Sequence, residues 1–220
     1  TCVFFAVKFS AGKNAKEVRT TIKRVTVFLW FLEIVKIVLT VQSYGWYEVN
    51  KYIPLYFCSL ILYAGLLSGF AKGKMRRIGD VFLSTGAIVA GLIFLLYPLT
   101  SLPNYPLFHF ISLHSFVLHG LMLYLGLLIH ATKYIELKKE DIKYYASLIL
   151  TISAIAYVFN HYTGGNLMFI SQNFPGTFIE PIYNCIGLFF PIVMITVQAV
   201  LPFYVVYTIV QIYKNKVPKP

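Results

Sequence analysis

Charge is scarce in this chain. Only 12% of its 220 residues are Asp, Glu, Lys or Arg, whereas a soluble domain carries about 25%. That deficit, with a mean hydropathy of +0.72, excludes an ordinary water-soluble domain. Cysteine is scarce too, and three residues are too few for a disulfide framework. Short alternating strands are missing, which excludes an outer-membrane type of barrel. No GxxxxGK[ST] occurs, so the Gly164–Gly165 pair reads as a turn rather than a phosphate loop. No internal repeat is evident, so the inverted-repeat signature of transporters is lacking.

What is present is a series of apolar runs near the length needed to cross a hydrocarbon core about 30 Å thick. They cover 25–44, 53–70, 81–98, 107–131, 144–160 and 183–213. The opening TCVFFAVKF has no small-residue cleavage site after it. It reads as the tail of a truncated first span, 1–9, rather than a signal peptide. The expected fold class is therefore all-α: a polytopic transmembrane helical bundle in one membrane domain, 1–220, with six complete spans and a partial one.

The net charge of +11 belongs to the loops. Segments 8–24, 71–80, 132–143 and the tail after 213 hold 17 of the 19 basic residues, Lys36 lies inside a span, and the alternate segments hold only Lys51. This alternation sets orientation rather than nucleic-acid binding. The basic loops and the C-terminus are expected to be cytoplasmic. GLLSG (Gly65 to Gly69) and Ala87 with Gly91 are small-xxx-small pairs suited to close helix packing. Pro191 and Pro202 interrupt the long last span and are expected to kink it.

Ionisable side chains inside spans are costly, which makes them candidates for function. At 1.5 Å per residue, Cys58 lies roughly 8 Å and His114 roughly 10 Å below the outer boundary of their spans. A shared depth allows a thiol–imidazole pair, in which His takes the thiol proton. Asn160 or Asn166, near the same side, could orient the ring or donate to an oxyanion. Glu33 and His119 both fall near mid-membrane, where contact would neutralise the carboxylate. Lys36, three residues after Glu33, is a nearer partner. His109 and His130 read as interfacial. His109, His114 and His119 recur every five residues, which turns each about 140° from the last, so no shared metal-binding face is expected. Cys185 opens a span near the outer face, so a Cys58–Cys185 disulfide is a further option.

Four stretches in order, WFLEIVKI, YIPLYFCSL, FHFISLHSFVLHG and FNHYTGGNLMFI, resemble the YwaF-like integral membrane proteins of bacteria. Their eukaryotic relatives include a transmembrane acyltransferase that builds polyunsaturated ether phospholipids. The resemblance covers roughly residues 25 to 213. It implies a bundle similar to small helical intramembrane lipid hydrolases, with Cys58 and His114 carrying the chemistry. It matches Glu33 to the family's acidic residue, and Asn160 and Asn166 to its loop asparagines. Where the family often has His two residues before the cysteine, this chain has Tyr56. The expectation is an intramembrane lipid acyltransferase or acyl hydrolase in the bacterial plasma membrane. It would use membrane lipids, no nucleic acid and no cofactor or metal; oligomeric state is left open. The alternative is a non-catalytic binding or transport protein for a small or lipidic ligand, with Glu33, His119 and Lys36 as its midplane site. A structural subunit of a larger complex is a third option.

Overall fold

The computed structural model describes residues 2–98, 101–177 and 179–216; Lys219 of the basic tail lies outside them. Its helices are α1 (Cys2–Ser10), α2 (Ala15–Tyr44), α3 (Val49–Tyr52), α4 (Leu60–Phe70), α5 (Gly73–Ser84), α6 (Gly86–Leu96), α7 (Phe110–Ala131), α8 (Ile142–Thr163), α9 (Ile179–Ile186) and α10 (Phe190–Lys216). No strand occurs among the described residues. Among the described residues, five stretches are long and apolar enough to cross a membrane: Ala15–Tyr44, Gly73–Leu96, Phe110–Ala131, Lys139–Thr163 and Ile179–Asn215. The sixth apolar helix, Leu60–Phe70, is shorter. The protein is a helical membrane bundle.

Its helices are amphipathic in the membrane sense, with lipid-facing apolar stripes and small or polar groups turned inward. On α2 the buried positions are Val18, Ile22, Thr26, Leu29, Glu33 and Thr40, a stripe with the helical period. Phe31, Ile34 and Val38 on the other side are exposed. The helix starts where Asn14 Oδ1 accepts from the Lys16 and Glu17 N–H groups at 3.0 and 3.1 Å, while Glu17 Oε2 accepts from Asn14 N–H at 2.8 Å. This reciprocal cap satisfies donors that a helix start leaves free. Arg19 then donates to the carbonyls of Gly69 and Ala71 at 2.9 and 2.8 Å. That cation closes the C-terminal end of α4, where carbonyls lack partners.

Close packing rests on small residues. A Cβ at Gly65 would stand 2.3 Å from Thr26 Oγ1, one at Gly69 would stand 3.0 Å from Lys23 Cγ, and one at Gly91 would stand 2.9 Å from the His119 carbonyl oxygen. Thus GLLSG seats α4 on α2, and Gly91 seats α6 on α7.

Three expected spans turn out to be interrupted, and in two of them a neighbouring helix takes up a freed carbonyl. The run 73–96 breaks at Thr85 (φ −131°, ψ −80°). There His130 Nε2 donates to the Ser84 carbonyl at 2.7 Å, since a carbonyl can only accept. The last span is divided at Gly187 (φ 58°), while Pro191 sits in the first turn of α10, where a missing N–H costs little. Pro202 cannot donate to the Gln198 carbonyl one turn back, and the buried Tyr145 hydroxyl donates to it instead at 3.2 Å. This replacement is the general condition for a broken helix inside a membrane.

The third interruption corrects the expected span 53–70. Residues 53–59 are not helical, and α4 has 11 residues, a rise of about 16 Å, roughly half a hydrocarbon core. Pro54 explains part of this, because it lacks an N–H and disfavours helix at Ile53. Residues 56–60 form a turn, with the Ser59 N–H donating to Tyr56 O at 2.9 Å and the Leu60 N–H to Phe57 O at 3.3 Å. The depth assigned to Cys58 from helical rise therefore does not hold. Non-helical backbone among membrane helices is tolerated where protein buries it or it lines a cavity, and here it does the latter.

Candidate functional site

The inward stripe of α2 brings Glu33 into full burial, 0% exposed. Lys36, one turn on, contacts Glu33 Oε1. From α7, His114 Nε2 lies 3.0 Å from Glu33 Oε2. Neither carboxylate oxygen forms an aligned hydrogen bond with these partners, so the three groups make a compact electrostatic cluster. A buried carboxylate demands such partners, because desolvating an unpaired charge costs several kcal/mol or more.

The expected Glu33–His119 contact is not formed. Five residues beyond His114 the side chain has turned about 140° around α7, which carries His119 away from α2 and onto α6. Its ring stacks on Phe94 with centroids 3.8 Å apart and planes at 10°. Its Nδ1 donates to the Ser115 carbonyl at 2.7 Å. His109 caps α7, its Nδ1 accepting from the Ile111 N–H at 3.2 Å.

Cys58 occupies the 56–59 turn just ahead of α4. It lines an apolar cavity of about 500 Å³ whose wall also includes Tyr56, Phe94, His119, Phe169 and Pro202. No hydrogen bond joins Cys58 to His114, whose Nε2 faces Glu33. His119 shares the cavity wall with Cys58, whereas His114 does not. Cys58 and Cys185 are both free, with Cys185 exposed on α9, so the disulfide option is discarded.

The loop after α8 closes over one side of the cavity. Asn160 Nδ2 donates to Leu167 O at 3.0 Å and to Ser171 Oγ at 2.7 Å, and its Oδ1 accepts from the Leu167 N–H at 2.8 Å. Asn166 Oδ1 accepts from the Ser171 and Gln172 N–H groups at 3.1 and 3.0 Å, and its Nδ2 donates to Gln172 O at 3.1 Å. Both amides are therefore committed to shaping the loop, and neither is bonded to Cys58 or His114. Their fastening holds Met168 and Phe169 at φ 59° and 53°, a region that costs a non-glycine residue of order 1–3 kcal/mol. Both side chains line the cavity. Tyr56 is similarly structural: its hydroxyl donates to Asn50 O at 3.0 Å, and its ring lies 5.2 Å from that of Phe169.

Reasoning from the sequence missed Gln198, which lines the cavity and donates from Nε2 to Met168 O at 2.9 Å. An amide four residues before Pro202 in an apolar run was the available signal. The roles of Phe94 and Phe169 had none, since aromatic residues abound throughout.

No curated protein and no solved structure matches the chain. A family model described as the TMEM164 family matches residues 1–209. A match of that extent covers every residue that lines the cavity and all three members of the Glu33–Lys36–His114 cluster: the chain belongs to the TMEM164 family.

Proposed function

We propose that this protein is an intramembrane acyl-transfer enzyme acting on lipids, with Cys58 as nucleophile. The observation that carries this reading is a thiol on the wall of an apolar cavity, in a bundle whose core also holds a buried carboxylate–imidazole pair. A cavity of about 500 Å³ falls within the range of small-molecule sites, about 300–1,000 Å³. Its overwhelmingly apolar wall suits an acyl chain better than a soluble metabolite.

In this reading Glu33 holds the His114 ring and stabilises its protonated form, as the carboxylate does in a catalytic triad. His114 takes the Cys58 proton and returns it to the departing alcohol. Asn160, Asn166 and Tyr56 support the site by holding its wall. The YwaF-like resemblance belongs to the same proposal, as do a bacterial plasma membrane and cytoplasmic basic loops. Of the residues named for the binding or transport alternative, His119 lines the cavity, whereas Glu33 and Lys36 pair with one another away from its wall.

The test is thioester capture from a phospholipid bearing a clickable acyl chain, with protein in lipid nanodiscs. Labelling should be hydroxylamine-sensitive and vanish in Cys58→Ser. In His114→Ala it should fall by about 100-fold or more, the usual worth of a general base. Unchanged labelling in both folded variants would end the proposal.

A further inference from the structure

The cavity wall carries a second imidazole, and its environment differs from that of His114. His114 faces a carboxylate. His119 faces a ring: it is clamped flat on Phe94 at 3.8 Å, with no carboxylate in contact. The Ser115 carbonyl can only accept, so the 2.7 Å contact places the hydrogen on Nδ1. In the neutral ring that leaves the Nε2 lone pair unused. Stacking and hydrogen bond together fix the ring plane and its tautomer. The ring is only 6% exposed to solvent yet lines the cavity that Cys58 also lines. A buried imidazole held this firmly, with a basic nitrogen left without a partner, matches the requirements of a general base.

The geometry points to His119 as the base that activates the acyl acceptor, a hydroxyl-bearing lipid admitted to the same cavity as the Cys58 thioester. This rests on the acyl-transfer reading above and adds the second half of the reaction to it. His119 Nε2 takes the hydroxyl proton as the acceptor oxygen bonds to the thioester carbonyl carbon. The tetrahedral intermediate then collapses, the carbon–sulfur bond breaks, and the electron pair leaves on Cys58 sulfur. The proton on His119 passes to that thiolate, restoring neutral imidazole and thiol. One ester forms and one thioester is lost, so no oxidant, reductant or further reactant is needed. Two histidines thereby divide the work: His114, held by Glu33, serves the formation of acyl-Cys58, and His119 serves its discharge.

The experiment follows acyl-Cys58 by rapid quench in nanodiscs, loaded from the clickable-acyl phospholipid and then discharged by a monoacyl glycerophospholipid. His119→Phe preserves an aromatic ring against Phe94; His119→Gln preserves polarity. Both should acylate Cys58 at the wild-type rate and discharge it about 100-fold or more slowly, so that the thioester accumulates. A packing defect would not separate the two half-reactions in this way. Discharge at the wild-type rate in either folded variant would overturn the assignment. So would loss of acylation together with discharge, or loss of the fold in both variants, since each would make His119 a first-step or packing residue. If wild-type protein forms no thioester at Cys58, the acyl-transfer reading itself falls, and this inference with it.

Discussion

At the scale of single residues, the decisive fact is how one buried carboxylate is satisfied. Glu33 has no access to water and draws Lys36 from its own helix and His114 from α7. Removing one member of a buried ion pair typically costs about 3–5 kcal/mol, because the partner charge is left unpaired. Glu33→Leu should therefore lower stability by about 3 kcal/mol or more, whereas Glu33→Leu with Lys36→Leu should recover much of the loss. Denaturant titration of the purified variants in mixed micelles measures both. Equal losses in the single and double variants would show that Lys36 is not the group left stranded. Outside the spans, ion pairing has smaller consequences: Lys214 lies 3.1 Å from Glu136 and holds its carboxyl below the usual range, but such exposed pairs contribute little.

At the scale of elements, α4 is the unusual one, a half-span preceded by a turn that carries the thiol. It is anchored by two neighbouring helices, α2 and α5. Arg19 of α2 caps its end, Thr26 and Lys23 fit against its glycines, and Gly79 of α5 admits its backbone. A Cβ at Gly79 would stand 2.3 Å from Ala64 O and 2.4 Å from Ser68 N, both backbone atoms. Gly79→Ala must push α4 and α5 apart, and should destabilise by about 1–3 kcal/mol, the usual penalty of overpacking. At Gly120 of α7 nothing lies within 4 Å of the added carbon. There Gly120→Ala should stabilise by up to about 1 kcal/mol through helix propensity. Thermal unfolding in one detergent compares the two; a similar shift at both positions would contradict the packing described for α4 and α5. Because α4 also places Cys58, the Gly79 variant should lose acyl capture disproportionately.

At the scale of the whole molecule, the bundle exposes apolar side chains outward and encloses its polar groups and a cavity. In the orientation proposed from the positive-inside pattern, the loop before α2, the α4–α5 turn, the α7–α8 connection and the end of α10 face the cytoplasm. Single cysteines placed at Lys139 and at Phe108 in a cysteine-free background test this. A membrane-impermeant maleimide added to intact cells should modify Phe108→Cys and spare Lys139→Cys. The reverse pattern would invert the proposed orientation, and modification of both would contradict the span count between them.

Much of the architecture was legible without coordinates. Hydropathy gave the helices. The Glu33–Lys36 pairing followed from a spacing of three residues. The span containing Cys58 was drawn too long, because an apolar run of 18 residues, 53–70, fits a helix and an unwound segment equally well. Pro54 was the only local warning. The break at Thr85 had no comparable signal, since it is sustained by His130 from another helix. The loop asparagines drew attention as reactive-site groups, yet their amides are committed to loop backbone, a role that depends on how the chain turns after Gly164.

Sequence alone determined that this chain forms membrane helices, because that property follows from summed transfer free energy along the chain. Tertiary structure decided which way each helix is rotated about its axis. In lipid a helix is apolar over much of its circumference, so hydropathy does not fix that rotation; packing against glycines and the need to neutralise Glu33 do. Those contacts alone determined that His114 meets the carboxylate while His119 faces the cavity beside Cys58.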